Sequence, residues 1–538
     1  TASNNTAVGY FALLSNTTGH SNTAVGFEAC KDNVTSNNNT GIGYKSLENQ
    51  TGTKNTGLGA YTLGNGATGD TNTGIGYAAL YQNSASNNTA VGSDALYANT
   101  TGSNNTAVGS AALDANTTGA QNTAVGKNAM TATTTSSDNT AFGFSAMGTG
   151  ANSGSGRQCA FGYAALQAVT TGNSNNCFGF EAGRSLTSGG WNVAIGGEAL
   201  EENSGGSGNV AIGHDAARHY SGNYNVAIGF QSMSAASATG NENTAVGYKT
   251  LASNTTGNTS TAIGHSALDS NTTGNSNVAV GTNSLTGCTT GSANTAIGYQ
   301  SLVDLTTESN STAVGQSAGE NAVGSKNTFV GVDAGKGATS GCNGTDNTVV
   351  GKSAMNAFTS GGSNTVIGRE AGESITTGSN NLLLGKRAGT SSSPSGVLQS
   401  SSNVVCLGDN SITSLHCADT SISSSDSRDK TDVADFNIGL NWINALRPVT
   451  YRWDRRTWYG TDEEPFGTPD GSKKRDKLHI GFLAQEALEV EKANGYGDIK
   501  DNMLVCNLTE DGMNYGIKYE RLVPVLVNAI KELSAKVT

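Results

Sequence analysis

Proline is almost absent from this 538-residue chain: it occurs five times, and the first 393 residues contain none. Charged residues make up only 13% of the sequence and aromatic residues only 6%. No stretch approaches the roughly 20 apolar residues of a transmembrane helix, and no secretory signal opens the chain. Since proline removes a donor from a β-ladder, its absence favours a long continuous β-structure, and we expect no insertion into a membrane.

Charge is scarce and unevenly placed along the chain. The net charge is −12, so we expect no nucleic-acid partner. Residues 1–425 hold 14 Lys/Arg and 23 Asp/Glu, whereas the much shorter segment 426–538 holds 16 and 19. This shift predicts a domain boundary near 410–425, with one region at 1–410, a linker at 411–425 and a separate domain at 426–538.

The eight cysteines form no CxxC pair and lie at no His spacing suited to zinc. We therefore expect no metal site and no cofactor. Cys159 and Cys177 occur in successive repeats, but strand alternation predicts that they face opposite ways. Free buried thiols are expected, in keeping with assembly in a reducing cytoplasm.

Glycine is abundant, with 73 residues, and it marks a repeat. The phrase Asn-Thr-Ala-Val/Ile-Gly, or a close variant, occurs 24 times between Gly9 and Gly408. From Gly9 to Gly385 the 22 steps average 17.1 residues. That is too short for a helix pair or a propeller blade, which need roughly 34 or more, but it suffices for two short strands and two turns. The period predicts an all-β protein, a parallel β-solenoid of about 24 coils.

Each repeat contains a strand with two alternating faces and a second apolar element. In the phrase 105–109, the Val position shares a strand face with Thr, because side chains alternate. A second short apolar element follows at Ala112-Leu113. Such small residues leave only a thin interior, so we expect several chains to share a core, as a homotrimer.

An Asn precedes nearly every repeat glycine by four residues, from Asn5 to Asn381. Two interpretations stay open: a stacked amide ladder along the axis, or a simple turn preference of Asn. Other residues take this position at Gln158, Ser260, Ser311 and Val404.

The C-terminal region has a different pattern. Helical spacing is found over 436–446 and is ended by Pro448; residues 449–453 predict a strand, and residues 479–486 predict a strand that runs into a helix. The last segment, from Tyr519, places apolar residues on one helical face: Leu522, Leu526, Ala529, Ile530 and Leu533. This stripe suits an oligomeric helix bundle or packing on its own domain.

Four separated motifs follow one another in this region. They are Ser425-Asp426-x-Arg428-x-Lys430, Leu446-Arg447-Pro448-Val449-Thr450-Tyr451-Arg452-Trp453, Gly481-Phe482-Leu483-Ala484-Gln485-Glu486 and Tyr519-Glu520-x-Leu522-Val523-Pro524. In these motifs the region resembles the endosialidase-type intramolecular chaperone found at the ends of phage tail fibres and tailspikes. The resemblance implies a small α+β domain that trimerises, drives folding of the preceding β-fibre and then cuts itself off between Ser and Asp.

The same resemblance implies Ser425 as the catalytic serine and Lys430 as its base, with the cleavage between Ser425 and Asp426. Arg428 and Asp426 would position the loop. The base must be neutral near pH 7, so burial has to lower the pKa of Lys430. Attack by Ser425 on its own carbonyl would close a strained four-membered ring. Attack from another subunit, an activated water and an acyl shift involving Ser424 therefore stay open.

The leading functional hypothesis is a trimeric phage tail fibre or tailspike of the virion, assembled in the host cytoplasm and used for host attachment. It predicts as partners a host receptor, with glycan as one candidate, and other tail proteins bound through a region before Thr1. Beyond its own cleavage no enzyme activity is expected. The alternative is a cellular surface adhesin, since the repeats also resemble the heads of trimeric autotransporter adhesins.

Two further hypotheses need specific features. A glycan-cleaving tailspike needs paired carboxylates in a cleft, for which Glu201-Glu202 is the nearest candidate. Ice binding would use flat Thr rows. Aromatic residues recur after the repeat glycine, and either glycan stacking or packing between coils or subunits would use them. Longer steps before Gly162, Gly351 and Gly408 are candidate receptor loops.

Overall fold

The computed structural model describes residues 2–66, 68–150, 156–412, 430–460, 466–509 and 514–537. The chain forms two compact units, Thr1–Ser311 and Thr312–Thr538. In the described parts of both units, no helix is long and apolar enough to span a membrane.

Three-residue strands, one before each repeat glycine, build the solenoid. In the first unit they are β1 to β18: Thr6–Val8, Thr23–Val25, Thr40–Ile42, Thr56–Leu58, Thr73–Ile75, Thr89–Val91, Thr106–Val108, Thr123–Val125, Thr140–Phe142, Cys159–Phe161, Asn176–Phe178, Val193–Ile195, Val210–Ile212, Val226–Ile228, Thr244–Val246, Thr261–Ile263, Val278–Val280 and Thr295–Ile297. In the second unit they are β19 to β24: Thr312–Val314, Thr328–Val330, Thr348–Val350, Thr365–Ile367, Leu382–Leu384 and Val405–Leu407.

Within each unit every strand pairs in parallel with the next strand along the chain, and equivalent repeat positions face each other. Between β7 and β8, for example, Thr106 pairs with Thr123 and Val108 with Val125. In this register, each strand residue lies beside the equivalent residue of the neighbouring coil. The predicted parallel solenoid and its number of coils are confirmed.

The side chains of each strand alternate as predicted, and the structure shows which face is the core. The middle residue of β7, Ala107, is fully buried, whereas Thr106 and Val108 face outward. Leu113, four residues after Gly109, is also fully buried and fills the interior from the opposite side. The interior of this coil is therefore thin and built from an alanine and a leucine.

The prediction of a second strand in each coil is wrong. The segment around Ala112-Leu113 forms a turn, because Ala111 and Leu113 adopt left-handed conformations with φ of 53° and 54°. A strand requires negative φ at each residue, so these two residues end any extended run. The turn still bonds to the next coil, since the Leu113 N–H donates to the Ala129 carbonyl at 2.9 Å.

The repeat glycine is required by close packing between coils. Gly109 has φ of 136°, and a Cβ there would lie 2.4 Å from the carbonyl oxygen of Gly126. Any side chain would therefore push adjacent coils apart. This explains why the glycine marks every period.

The Asn residues four positions before the repeat glycines form a stacked amide ladder, which was one of the two interpretations of their regular spacing. Asn105 Oδ1 accepts the backbone N–H of Asn122 at 2.9 Å, and Asn105 Nδ2 donates to the Gly119 carbonyl at 2.9 Å. At the irregular position, Gln158 Oε1 accepts from the Asn175 N–H at 3.0 Å. The buried amides thus satisfy backbone groups both within a coil and between coils.

A second buried Asn ladder was not predicted. Seven residues after the glycine, Asn99 accepts a hydrogen bond from Asn116 Nδ2 at 2.8 Å, and Asn254 accepts one from Asn271 Nδ2 at 2.9 Å.

After residue 430 the described chain contains short helices and hairpins. They are α1 Leu440–Ala445, β25 Val449–Tyr451, β26 His479–Gly481, α2 Ala484–Ala493, β27 Cys506–Leu508, β28 Tyr515–Ile517 and α3 Leu522–Val537, with 3-10 turns at Arg456–Trp458, Lys500–Asn502 and Tyr519–Arg521. Strands β25 and β26 pair antiparallel, as do β27 and β28. Trp442, Val505, Leu522 and Val525 form the buried centre. The predicted helices and strands are all present, although α1 is shorter than its apolar pattern.

Candidate chaperone and processing site

The predicted cleavage motif is described only at its end. Ser425, Asp426 and Arg428 lie outside the described residues, as does Ser424. Lys430 is described, and its side chain is exposed in the single chain. The burial that a neutral lysine base requires is therefore not provided around Lys430 by the described residues of one subunit.

The segment that follows Lys430 is fastened to α3. Asn528 Nδ2 donates to the carbonyls of Phe436 and Ile438. Glu532 Oε2 accepts the Leu440 N–H at 3.2 Å and so caps α1, which has no side-chain cap of its own. A carboxylate at this end also suits the helix dipole. The start of the domain is thus tied to its last helix, about ninety positions later in the chain.

The separated motifs meet in space. Strand β25, from the second motif, pairs with β26, which enters the third. Tyr519, from the fourth motif, accepts the Phe482 N–H at its hydroxyl at 3.1 Å. Gly481 leaves room for that hydroxyl, because a Cβ there would lie 2.5 Å from it. Three motifs therefore form one structural cluster around Gly481.

An ion pair joins the second and third motifs across the surface. Arg447 Nε donates to Glu486 Oε2 at 3.0 Å, and Arg447 Nη2 donates to the other carboxylate oxygen. These hydrogen bonds lower the pKa of Glu486. Both side chains are well exposed, so the pair contributes more to geometry than to stability.

A buried carboxylate holds the second hairpin against α2. Glu491 has no exposed surface, and its oxygens accept the backbone N–H groups of Leu504, Val505 and Cys506, the last two at 2.9 and 3.0 Å. Burial and the neighbouring Glu491 raise the pKa of the Cys506 thiol to about 12. The sequence had no motif for this anchor, since its partners are backbone groups.

Helix α3 has two apolar faces. Leu522, Val525 and Ala529 are buried in the domain. The other apolar residues of the helix stay exposed, with Ile530 at 66% and Leu533 at 52%. The predicted stripe therefore divides between the two interpretations, because one part packs on its own domain and the other has no cover in the single chain.

The solenoid also leaves apolar residues exposed. The third strand residue points outward and is 36% to 58% exposed in many coils. These residues are Val8, Ile42, Leu58, Ile75, Val108, Phe142, Phe161, Phe178, Ile195, Ile263 and Ile297 in the first unit, and Ile367 and Leu407 in the second. Exposed apolar rows of this length are typical of an interaction surface.

Most aromatic residues after the repeat glycine stack on one another. Phe27 and Tyr44 lie 5.2 Å apart at 8°, and Tyr163 and Phe180 lie 5.2 Å apart at 9°. Each ring in such a row therefore packs against the ring of the neighbouring coil, while both remain partly exposed. Packing between coils is thus present in these rows.

The two carboxylates considered for glycan cleavage both contact basic side chains. Glu201 is 2% exposed and contacts Arg184 and Arg218, each at 2.7 Å. Glu202 pairs with His219 at 2.7 Å. Among the described residues no group of three or more His, Cys, Asp or Glu side chains is placed to hold a metal ion.

Comparison with known proteins identifies the C-terminal region. Residues 425–496 match the family model described as chaperone of endosialidase, so the match begins at the serine of the predicted cleavage site. No curated protein and no solved structure matched the chain. The chain thus carries an endosialidase-type chaperone domain behind a β-solenoid, an arrangement that fits a tailspike or endosialidase-type protein.

Proposed function

We propose that this protein is a trimeric phage tail fibre or tailspike for host attachment, and that its C-terminal domain drives trimer folding before cutting itself off between Ser425 and Asp426. The observation that carries the proposal is the outward apolar row of the solenoid strands, in a chain that ends in an endosialidase-type chaperone domain. A shaft that leaves such a row uncovered needs partner chains to bury it.

Identical partners meet the requirement best. The row repeats with the coil period, so a second and a third copy in the same orientation present matching residues at every level. The exposed face of α3 gives the domain an apolar surface of its own for the same assembly. Each subunit would then bury its thin solenoid against two others.

Trimer formation would also provide the burial of Lys430 that cleavage requires. Lys430 is exposed in the single chain, so a neighbouring subunit would have to bury it and lower its pKa. The tie between α3 and residues 436–440 links the helix that would assemble to the segment that leads back to Lys430. Cleavage would therefore follow assembly.

The test is expression of the full chain with Ser425→Ala and, as the matched control, Ser424→Ala. We expect a wild-type trimer that has released residues 426–538, measured by native and denaturing mass spectrometry. Ser425→Ala should give an intact trimer, because assembly does not need the hydroxyl. Ser424→Ala should be cleaved, unless the acyl shift operates through Ser424. An intact monomer in all three samples would contradict both the trimer and the self-cleavage.

A further inference from the structure

One interruption in the aromatic rows forms a cleft on the first unit. It has a volume of about 460 Å³ and is lined by Tyr61, Tyr77, Ala78, Tyr81, Asp94 and Tyr97. We refer to these six residues as the tyrosine cleft. The volume falls within the range of small-molecule sites.

A small residue in a row of larger ones opens the tyrosine cleft. Tyr61, Ala78 and Asp94 each lie two residues after a repeat glycine, in three successive coils, and all have φ between 52° and 59°. Their side chains therefore project in one direction, at steps of roughly 4.8 Å. Because Ala78 is 3% exposed and carries only a methyl group, a gap of about two coil steps separates Tyr61 from Asp94.

The rings around this gap do not form a simple stack. Tyr61 stands at 82° to Tyr77 and at 80° to Tyr81. Tyr81 and Tyr97 are stacked, 5.3 Å apart at 13°, and form a second wall. The cleft is thus enclosed by rings in different orientations, unlike the stacked rows elsewhere in the unit.

Polar groups are available beside these apolar ring faces. Tyr77, Tyr81 and Tyr97 contribute hydroxyl groups that can both donate and accept hydrogen bonds. Asp94 Oδ2 accepts from Ser93 Oγ at 2.9 Å, and the carboxylate keeps further acceptor capacity. Ring faces for C–H groups, with hydroxyls and a carboxylate beside them, complement a pyranose sugar.

We infer that the tyrosine cleft binds a neutral hexopyranose residue of a cell-surface glycan. Asp94 is the only charged residue among those that line the cleft, so an anionic sugar would meet a like charge without compensation. This inference rests on the proposed attachment function for its biological meaning, whereas the binding itself is measurable on the isolated protein.

The experiment fills the tyrosine cleft with a large side chain. Ala78→Tyr places a tyrosine where Tyr61 already stands in the preceding coil, so the fold should accept it. Ala164→Tyr is the matched control, since Ala164 has the same repeat position, a φ of 50° and 3% exposure but lies outside the cleft. Saturation-transfer NMR on the full chain would use gluco-, galacto- and manno-oligosaccharides, with oligosialic acid as the anionic comparison.

We expect at least one neutral oligosaccharide to bind the wild type and Ala164→Tyr equally, and to bind Ala78→Tyr roughly tenfold or more weakly. Oligosialic acid should not bind. The inference is overturned if no neutral oligosaccharide binds, if Ala78→Tyr binds as well as the wild type, or if nitration of native protein finds Tyr77 and Tyr81 shielded by a second copy. The native mass and cleavage of the same samples test the fibre separately: sugar binding by an uncleaved monomer would support the cleft and overturn the proposed fibre.

Discussion

At the scale of single residues, the coil depends on side chains in left-handed conformations. From Gly26 to Gly385, the fourth residue after each repeat glycine is buried and, unless it is glycine, has an unbranched Cβ. With positive φ these are Cys30, Leu47, Leu63, Leu80, Leu96, Leu113, Met130, Met147, Leu166, Leu200, Ala217, Met233, Leu251, Leu268, Leu285, Leu302 and Met355. β-Branched residues are disfavoured at this buried position because their second Cβ substituent crowds the backbone at positive φ.

We therefore expect Leu113→Ile to destabilise its coil by roughly 1 to 3 kcal/mol through backbone strain, although volume and hydrophobicity are kept. Leu113→Met, the control, should cost less than about 1.5 kcal/mol. Hydrogen exchange of the Leu113 amide, which bonds to Ala129, measures the local free energy of opening. Equal protection in the two variants would contradict the strain argument.

At the scale of elements, α3 combines two tasks. Its buried face completes the domain core and holds the segment 436–440, while its other face remains apolar and exposed. The sequence placed both sets of residues on one stripe, because helical spacing alone does not separate neighbouring faces. The contacts of α1 with α3 decide which residues are buried.

Ile530→Glu should leave the domain folded, because Ile530 is 66% exposed in the single chain, but it should prevent assembly and reduce release of residues 426–538. Lys531→Gln, also exposed on α3, changes the net charge by the same one unit and is the control for charge. Circular dichroism checks the fold, and native mass spectrometry measures the oligomer. A cleaved trimer of Ile530→Glu would show that this face of α3 is not an interface.

At the scale of the whole molecule, the solenoid is held by repeated contacts between coils, and the described residues contain no disulfide. The seven described cysteines are free, and Cys159 and Cys177 face opposite ways, as the alternation predicted. Burial raises the pKa of Cys30 and Cys177 to about 12, and burial with Glu491 does so for Cys506. These thiols stay protonated in the folded chain at neutral pH.

At pH 8 the raised pKa values keep the thiolate fraction of Cys30, Cys177 and Cys506 very small, and the thiolate is the reactive form. We expect iodoacetamide to leave these three cysteines unmodified in native protein and to label them after unfolding, as read by peptide mass spectrometry. A reducing agent should leave the native mass and the Tm unchanged. A loss of Tm on reduction would instead indicate a disulfide.

The sequence by itself determined the coil period, the strand positions and the presence of the chaperone motifs. The repeat features follow from side chains that alternate between two strand faces and from a phrase that recurs at a fixed interval. Because the same pattern recurs in every repeat, each repeat supports the same assignment. Only the tertiary structure decided the left-handed turn, the second Asn ladder, the Glu491 anchor and the tyrosine cleft. The residues that form these features come from neighbouring coils or from distant parts of the C-terminal domain. Their contacts depend on how the chain folds, and the spacing of residues along the sequence does not show which residues will meet.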